Sequence, residues 1–427
     1  MDRKPSGEVG LGMAPRRPKI VPLVSLEAAS VLTDRATEPH TIELTVEFSR
    51  PVDPEVIARG LRTAMAIHPM ASVRLRRSGP LRRRLEWRGD ESPPVTILDE
   101  PGRRTIGELA SVQPDLASSP PFHASLGEHG DGSRLVLVVN HAAFDGVGAV
   151  RFLRTALEAA AGMPPSVPPV DELTARHLTD PVGKRSSDRP AGTPQRPSGP
   201  PDHLRCDVGT GHSPGFVVVH RSIPTKRVAG ATVNDVVLAA FHRTLAGWIE
   251  RSGTTSGPVV TLVPLNVRPP EWGRDVVGNH AWLTAVVSEP DDRASTDRLL
   301  RSIGAQMRSA KEAPPVPGGF AFLGGGFVPV AIARAGFAAA SRIGRRRVAT
   351  ALVSNLGELA PFPDIDGSGV ERVWFSPPCR EPRPVSLGVV GHGGELQLSF
   401  RFRRTSFDDT SAESFAASSV AELEAIG

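Results

Sequence analysis

Residues 135–146 read LVLVVNHAAFDG, and they decide how this chain is expected to fold. The five apolar residues at 135–139 are typical of a strand that is buried on both faces. A polar turn from Asn140 to Asp145 follows, and apolar spacing then predicts a helix over about 148–161, closed by Gly162. The stretch therefore predicts a strand, a sharp turn and a helix, with His141 held at the end of the strand.

Further strands and helices are predicted on both sides of this stretch. Residues 41–48, TIELTVEF, alternate between apolar and polar and indicate a strand with one buried face. Asp53-Pro54 is an N-cap followed by proline at the first helical position. Thr232 and Asp235 form a capping box that opens a helix to about residue 250. The same patterns predict strands at 215–223, 259–265 and 348–353, a hairpin of 385–390 with 395–403, and helices at 295–310, 329–342 and 411–425.

The 427 residues are too many for one ordinary core and favour two. Strands cluster more than they alternate with helices, which predicts two α/β lobes with mixed sheets rather than a doubly wound sheet or a barrel. We divide the chain into a disordered arm at 1–20, a first lobe at 21–162 and a second lobe at 214–427. The segment between the lobes, 163–213, is rich in Pro, Ser and Gly and is expected to be a linker.

Composition excludes several classes of protein. The net charge is +4, from 50 basic and 46 acidic residues that are interspersed, so no nucleic-acid partner is expected. Two cysteines cannot form a disulfide framework, and no signal peptide is visible, so we expect a cytoplasmic protein. The apolar stretch 320–340 contains Gly324-Gly325-Gly326, Pro329 and Arg334. It is therefore not expected to span a membrane, although weak contact with a lipid surface stays open.

His141 is the candidate general base, because an imidazole at a strand end can accept a proton from an alcohol or amine near neutral pH. Asp145 lies in the turn, and Gly146 is expected to relieve steric strain there. H-x-x-x-D also occurs around ordinary loop histidines, but the strand–turn–helix setting favours a catalytic role. A catalytic zinc site needs three protein ligands and no third lies nearby, so no metal is expected.

Residues 140–146 resemble the H-H-x-x-x-D-G motif of the chloramphenicol acetyltransferase-like superfamily. This group includes peptide condensation domains, polyketide-associated acyltransferases and wax ester synthases. The catalytic second His of the motif is His141, and the first is replaced by Asn140. Four further segments, spread over about 22–425, resemble the family in its order: IHP at 67–69 with SVR at 72–74, TVNDVVLA at 232–239, VPLNVR at 263–268 with GN at 278–279, and SNLG at 354–357.

The resemblance implies two lobes in a V with a tunnel between them. It implies an acyl donor bound as a thioester, either acyl-CoA or an acyl group on the phosphopantetheine arm of a carrier protein, and a small-molecule acceptor. It also implies that Asp145 is structural at the active site and pairs with Arg268. No metal or redox cofactor is expected. Asn140, Ser354 and Asn355 are candidate oxyanion or tunnel residues, with turn formation the favoured role for the last two.

The expected function is an acyltransferase that forms an ester in secondary metabolism or lipid modification, with amide-forming condensation as the nearest alternative. A condensation-like domain that binds a carrier protein or megasynthase without catalysis is the alternative from a different class. The other histidines are not expected to act. His68 is expected at a helix end, and His280 and His392 are expected on loops or strand surfaces.

Overall fold

The computed structural model describes residues 19–76, 79, 81–89, 97–98, 104–180, 197–201, 204, 214–313, 329–343 and 349–426. The predicted arm at 1–20 lies outside these residues as far as residue 18, but Lys19 and Ile20 already belong to a strand. The triple glycine at 324–326 and Cys206 also lie outside them.

The described strands form three sheets. They are β1 Lys19–Pro22, β2 Thr41–Phe48, β3 Val73–Leu75, β4 Glu86–Gly89, β5 Ile97–Leu98, β6 Phe122–His129, β7 Gly132–Asn140, β8 Phe216–Pro224, β9 Val259–Asn266, β10 Ala281–Ser288, β11 Ala351–Glu358, β12 Val370–Ser376, β13 Val385–His392 and β14 Glu395–Arg403.

No helix in the described part of the chain is both long and apolar enough to cross a bilayer. Short 3-10 turns occur at Pro69–Ala71, Arg176–Leu178 and Pro270–Trp272. The α-helices are α1 Ser25–Thr33, α2 Pro54–Ile67, α3 Ile106–Ala110, α4 Gly146–Ala160, α5 Glu172–Ala175, α6 Val233–Arg251, α7 Pro290–Arg293, α8 Thr296–Glu312, α9 Val330–Ile343 and α10 Asp409–Ile426.

The first large sheet has the strand order β5-β6-β7-β2-β12. β2 pairs antiparallel with β7, so that Thr41 lies opposite Asn140 at the start of the motif turn. β12 pairs with the other edge of β2, although it comes from the second half of the chain. The division into lobes at residue 214 is therefore wrong for this strand, because the chain returns to complete the sheet of the first lobe.

The second large sheet has the order β10-β9-β11-β13-β14-β8, with β11 parallel to both of its neighbours. The predicted hairpin is confirmed as β13 and β14. Gly393 and Gly394 turn it with φ of 61° and 84°, a region that glycine adopts without steric cost. A parallel β5–β6 pair makes the first sheet mixed as well. The predicted class of two α/β lobes with mixed sheets is confirmed.

Each large sheet packs one face against helices. Leu44, Leu137 and Phe152 lie in the core that α1, α2 and α4 cover, whereas Phe241 and Phe400 lie in the core that α6, α8 and α10 cover. Helix α9 also departs from the division at 214. It buries Ala333 and Phe337 in the first core, beside α1.

The other face of β2 is buried too, whereas its alternation predicted only one buried face. Thr41, Glu43 and Thr45 turn towards the second lobe. There Arg401 of β14 donates hydrogen bonds to the carbonyls of Thr41 and Ala110, at 2.8 and 2.9 Å. Buried polar groups need hydrogen-bond partners, and Arg401 supplies them for two buried carbonyls at the junction of the lobes, while Thr45 donates to Glu43.

The predicted linker at 163–213 is partly structured. Residues 171–180 form α5 and a 3-10 turn, and Asp171 caps α5 by accepting a hydrogen bond from the amide of Leu173 at 3.0 Å. Glu172 and Arg176 are fully buried, and Arg176 pairs with Glu27 of α1. The prediction failed here because polar residues in a proline-rich segment suggest solvent exposure, whereas these residues have buried partners.

Candidate active site

Asn140 shapes the turn that carries His141. Its side-chain oxygen accepts a hydrogen bond from the amide of Ala142 at 2.9 Å, and its side-chain nitrogen donates to Asp34 at 3.0 Å. The residue is buried, with 1% of its surface exposed. Asn140 is therefore a turn-forming residue, and its predicted place as an oxyanion or tunnel residue stays a prediction.

His141 is held on three sides. Its amide donates to the carbonyl of His40 at 2.8 Å, and its own carbonyl accepts from the side chain of Asn279 at 2.7 Å. Nδ1 lies 2.8 Å from the carbonyl oxygen of Phe144. Because a carbonyl can only accept, Nδ1 carries the proton, and in a neutral ring Nε2 keeps its lone pair.

The ring of His141 is favoured in its neutral form. Burial lowers its pKa below the usual 6.5, and the net shift is downward although the Phe144 carbonyl and Asp145 oppose it. The ring of His40 lies edge-on to it, with 4.7 Å between ring centres. Burial and the charge of Arg380 lower the pKa of His40 well below 6.5, so this neighbour is neutral too. His141 thus combines a neutral ring with a lone pair on Nε2, as a general base requires.

Asp145 caps α4 and binds Arg268 through both oxygens, at 2.7 and 2.9 Å. The pairing predicted from the sequence is present. The amides of Gly148 and His280 each donate to the same carboxylate at 2.7 Å. Burial would raise the pKa of Asp145, but the Arg268 guanidinium outweighs it and holds the pKa below its usual range. With four hydrogen bonds received, the carboxylate is structural.

Gly146 is required for a different reason from the one that the sequence suggested. It begins α4 with helical geometry and does not need the left-handed region. A Cβ at this position would lie 2.8 Å from Leu356 and 3.0 Å from Phe375. These distances are too short for van der Waals contact, so the absence of a side chain allows β11 and β12 to approach the start of α4.

Ser354 and Asn355 lie on β11, close to the motif turn through their neighbour Leu356. The side-chain oxygen of Asn355 accepts a hydrogen bond from the amide of Gly357 at 2.8 Å, which forms a turn. Ser354 is buried and pairs with Gly388 of β13. The structure thus assigns Asn355 to a turn, and oxyanion binding by either residue stays a prediction.

Residues 276–280, which we call the cradle loop, belong to the second lobe and contact the turn that carries His141. The carbonyl of Gly278 accepts from the amide of Asp145 at 2.9 Å, and the carbonyl of Val276 accepts from Arg268 at 2.9 Å. Asn279 and His280 bind His141 and Asp145 as described above. The cradle loop therefore links His141 and the ion pair into one hydrogen-bonded unit.

Comparisons with known proteins identify the fold of this chain. No family model matches the chain. An uncharacterized protein of Mycobacterium tuberculosis is 29% identical over 394 residues, which cover 87% of this chain and 91% of that protein. The condensation domain of the Monacolin K polyketide synthase superposes with a TM-score of 0.61 at 14% identity, over 96% of this chain and 98% of its own. Trichothecene 15-O-acetyltransferase from Fusarium sporotrichioides gives 0.63 at 13% identity, over 99% and 97%.

The chain has the chloramphenicol acetyltransferase-like, condensation-domain fold. At these sequence identities, the likeness to the two solved structures shows a shared fold and says nothing about activity. In the condensation-domain fold of this protein, the two lobes meet beside His141: Asp145 comes from the first lobe, whereas Arg268 and Asn279 come from the second. The site is thus built by the contact between lobes.

Several residues near the site in this condensation-domain fold were not predicted. His280 and His392 were expected on loops or strand surfaces but are buried: His280 contacts Thr179 and Trp272, and His392 contacts Phe362. His68, expected at a helix end, does cap α2 and is also fully buried against Glu172, at 2.8 Å. The sequence gives one indication that His40 lies near the site: it directly precedes β2, whose first residue, Thr41, pairs with Asn140.

Proposed function

We propose that this protein is an acyltransferase that moves an acyl group from a thioester to an alcohol or amine, with Nε2 of His141 as general base. The observation that carries the proposal is the hydrogen bond from Nδ1 to the Phe144 carbonyl. It leaves the lone pair on Nε2 of a neutral ring at the junction of the two lobes. The superfamily resemblance implies a tunnel for donor and acceptor between these lobes.

The reaction balances with this one base. Nε2 takes the proton of the acceptor as its oxygen or nitrogen attacks the thioester carbonyl, and a tetrahedral intermediate forms. Its collapse breaks the carbon–sulfur bond, and the imidazolium returns the proton to the departing thiolate. The products are an ester or amide and a free thiol, and the base ends in its starting state.

Direct attack suits the described residues better than a cysteine intermediate does. Cys379 is a free, buried thiol, and burial raises its pKa to about 11. A thiol with such a pKa is almost entirely protonated at neutral pH and is a poor nucleophile. Thioester carbonyls are electrophilic enough to react with an alcohol or amine that a histidine deprotonates.

The donor is proposed as acyl-CoA or an acyl group on a carrier protein. Structures of the same fold include an O-acetyltransferase and a condensation domain, which motivate tests with both oxygen and nitrogen acceptors. Ester formation in secondary metabolism or lipid modification is the preferred version, because the SNLG segment at 354–357 resembles the polyketide-associated and wax ester branches.

The test is thiol release from a panel of acyl-CoAs and acyl-loaded carrier proteins with pooled alcohols and amines. Wild type is compared with His141→Ala and with His129→Ala, a control at an exposed histidine. We expect release in wild type and the control, and a loss of about 100-fold or more in His141→Ala. Equal release in all three would remove His141 from the mechanism. Absence of release from every donor would favour a domain that only binds a carrier protein.

A further inference from the structure

The centre of the cradle loop is hydrogen-bonded to Glu172, a residue of the segment between the lobes. The amide of Val277 donates to Oε1 of Glu172 at 2.7 Å. Glu172 is the first residue of α5 and is fully buried. The hydrogen bond lies between the two carbonyls that serve the ion pair, Val276 and Gly278. Glu172 therefore fixes the centre of the loop that contacts His141 and Asp145.

Glu172 is itself fixed by two helices of the first lobe. Its Oε1 lies 2.8 Å from Nδ1 of His68, at the end of α2. Nε2 of His68 lies 2.9 Å from the hydroxyl of Thr155 on α4, and that hydroxyl donates to the carbonyl of Arg151 at 3.1 Å. Because the hydroxyl has one proton, it accepts from Nε2 of His68. Oε1 of Glu172 can contact Nδ1 of His68 and accept from the amide of Val277 at the same time, because a carboxylate oxygen has two lone pairs.

A second contact joins the same segment to the far end of the cradle loop. The hydroxyl of Thr179 lies 2.7 Å from Nδ1 of His280, and the indole of Trp282 donates to the carbonyl of Thr179 at 3.2 Å. Residues 171–180 thus hold the loop at Val277 and at His280. The segment that leaves the first lobe ties down the part of the second lobe that completes the site.

We propose that Glu172 is a positioning residue for His141. It acts through Val277 and the cradle loop, whose Asn279 binds the His141 carbonyl and whose His280 amide binds Asp145. This inference rests on the proposed function. Positional errors of about 1 Å at a reacting group can cost on the order of 100-fold in rate. Loss of the Glu172 hydrogen bond should therefore lower turnover more than substrate affinity.

The test uses Glu172→Ala, which removes the acceptor for Val277, and Glu172→Gln, which keeps an amide oxygen there. Thr174→Ala is the matched control: Thr174 lies on the same helix α5, it is exposed, and its hydroxyl donates to the carbonyl of Asp171 at 3.1 Å. Two readouts are taken on the full chain, namely kcat and KM for acyl transfer, and hydrogen–deuterium exchange of the peptide that spans 276–280.

Glu172→Ala is expected to lower kcat by about 10–100-fold with little change in KM, and to speed exchange at 276–280. Glu172→Gln is expected to recover most of both, and Thr174→Ala to leave exchange in the cradle loop unchanged. Glutamine that is no better than alanine, or equal effects of Glu172→Ala and Thr174→Ala, would overturn the proposal. If wild type transfers no acyl group, the proposed function fails, and exchange at 276–280 still decides whether Glu172 holds the loop.

Discussion

Asp145 and Arg268 stand 123 residues apart in the chain and form a two-pronged ion pair across the lobes, with oxygen–nitrogen distances of 2.7 and 2.9 Å. The same carboxylate caps α4, directly after the turn that carries His141. Contact between the lobes and the geometry of the turn that carries His141 therefore depend on one pair of side chains.

Replacing Arg268 with Gln should destabilise the protein strongly. The change leaves the Asp145 carboxylate buried without its counter-charge, which costs about 3–5 kcal/mol in the free energy of unfolding. Urea unfolding followed by tryptophan fluorescence measures this. The control is Arg221→Gln, which removes an ion pair with the half-exposed Glu413 and should cost less than about 1 kcal/mol. Similar small losses in both variants would contradict the structural role of the pair.

Gly146→Ala should destabilise through steric overlap. The new Cβ would lie 2.8 Å from Leu356 and 3.0 Å from Phe375, and forced packing of this kind costs about 1–3 kcal/mol. The control is Gly247→Ala in α6, where the Cβ meets nothing within 4 Å and helix propensity should add about 0.5–1 kcal/mol. Opposite signs in the two melting temperatures are expected, and a neutral Gly146→Ala would count against the close approach of β11 and β12.

The pH dependence of the rate should report the lowered pKa of His141. The base must be neutral, so kcat/KM should stay constant from about pH 8 down to below the usual 6.5 and only then fall. An alcohol acceptor does not ionise in this range, so the acidic limb belongs to the enzyme. A midpoint above 6.5 would mean that the ring is not held in its neutral form.

Glu43→Gln should stabilise the protein at alkaline pH. Burial raises the pKa of Glu43 to about 7, against a hydrogen bond from Thr45. The folded state therefore keeps a proton that the unfolded chain has lost, and the stability from this group is lost as pH rises through about 7. Glutamine has no such dependence, so its advantage in urea unfolding should reach on the order of 3 kcal/mol above pH 8 and shrink towards pH 5.

His242→Gln provides the control of opposite sign for that experiment. Burial lowers the pKa of His242 from 6.5 to about 3. Once the pH drops below 6.5, the unfolded chain therefore binds a proton on this histidine that the folded state does not bind. Wild type loses stability there, and the variant should lose about 1.4 kcal/mol less per pH unit. Identical pH slopes in wild type and variant would show that His242 is not buried as described.

The sequence predicted what depends on local pattern. The apolar run at 135–139 and the turn after it indicated how His141 is presented, and the resemblance at 263–268 suggested Arg268 as the partner of Asp145. The hairpin of β13 and β14 followed from alternation around two glycines. In each of these cases the signal lies within a few residues or in a recognisable motif.

The sequence did not predict the features of the fold and site that depend on long-range pairing. Nothing within Val370–Ser376 indicates that this strand joins the sheet of the first lobe, because strand alternation does not identify a partner. Glu172 was assigned to a linker, since a polar residue among prolines suggests solvent and its buried partner His68 lies 104 residues away. The turn-forming contacts of Asn140 with Ala142 and Asp34 were also not predicted.

The proton on the ring of His141 is the most direct test of the central claim. Long-range proton–nitrogen NMR of histidine-labelled protein, with His141 assigned from the spectrum of His141→Gln, shows which nitrogen carries it. We predict a neutral ring at pH 7 with the proton on Nδ1 and none on Nε2. A ring protonated on Nε2, or on both nitrogens, would contradict the account, because no lone pair would then be available to accept the proton of the acceptor.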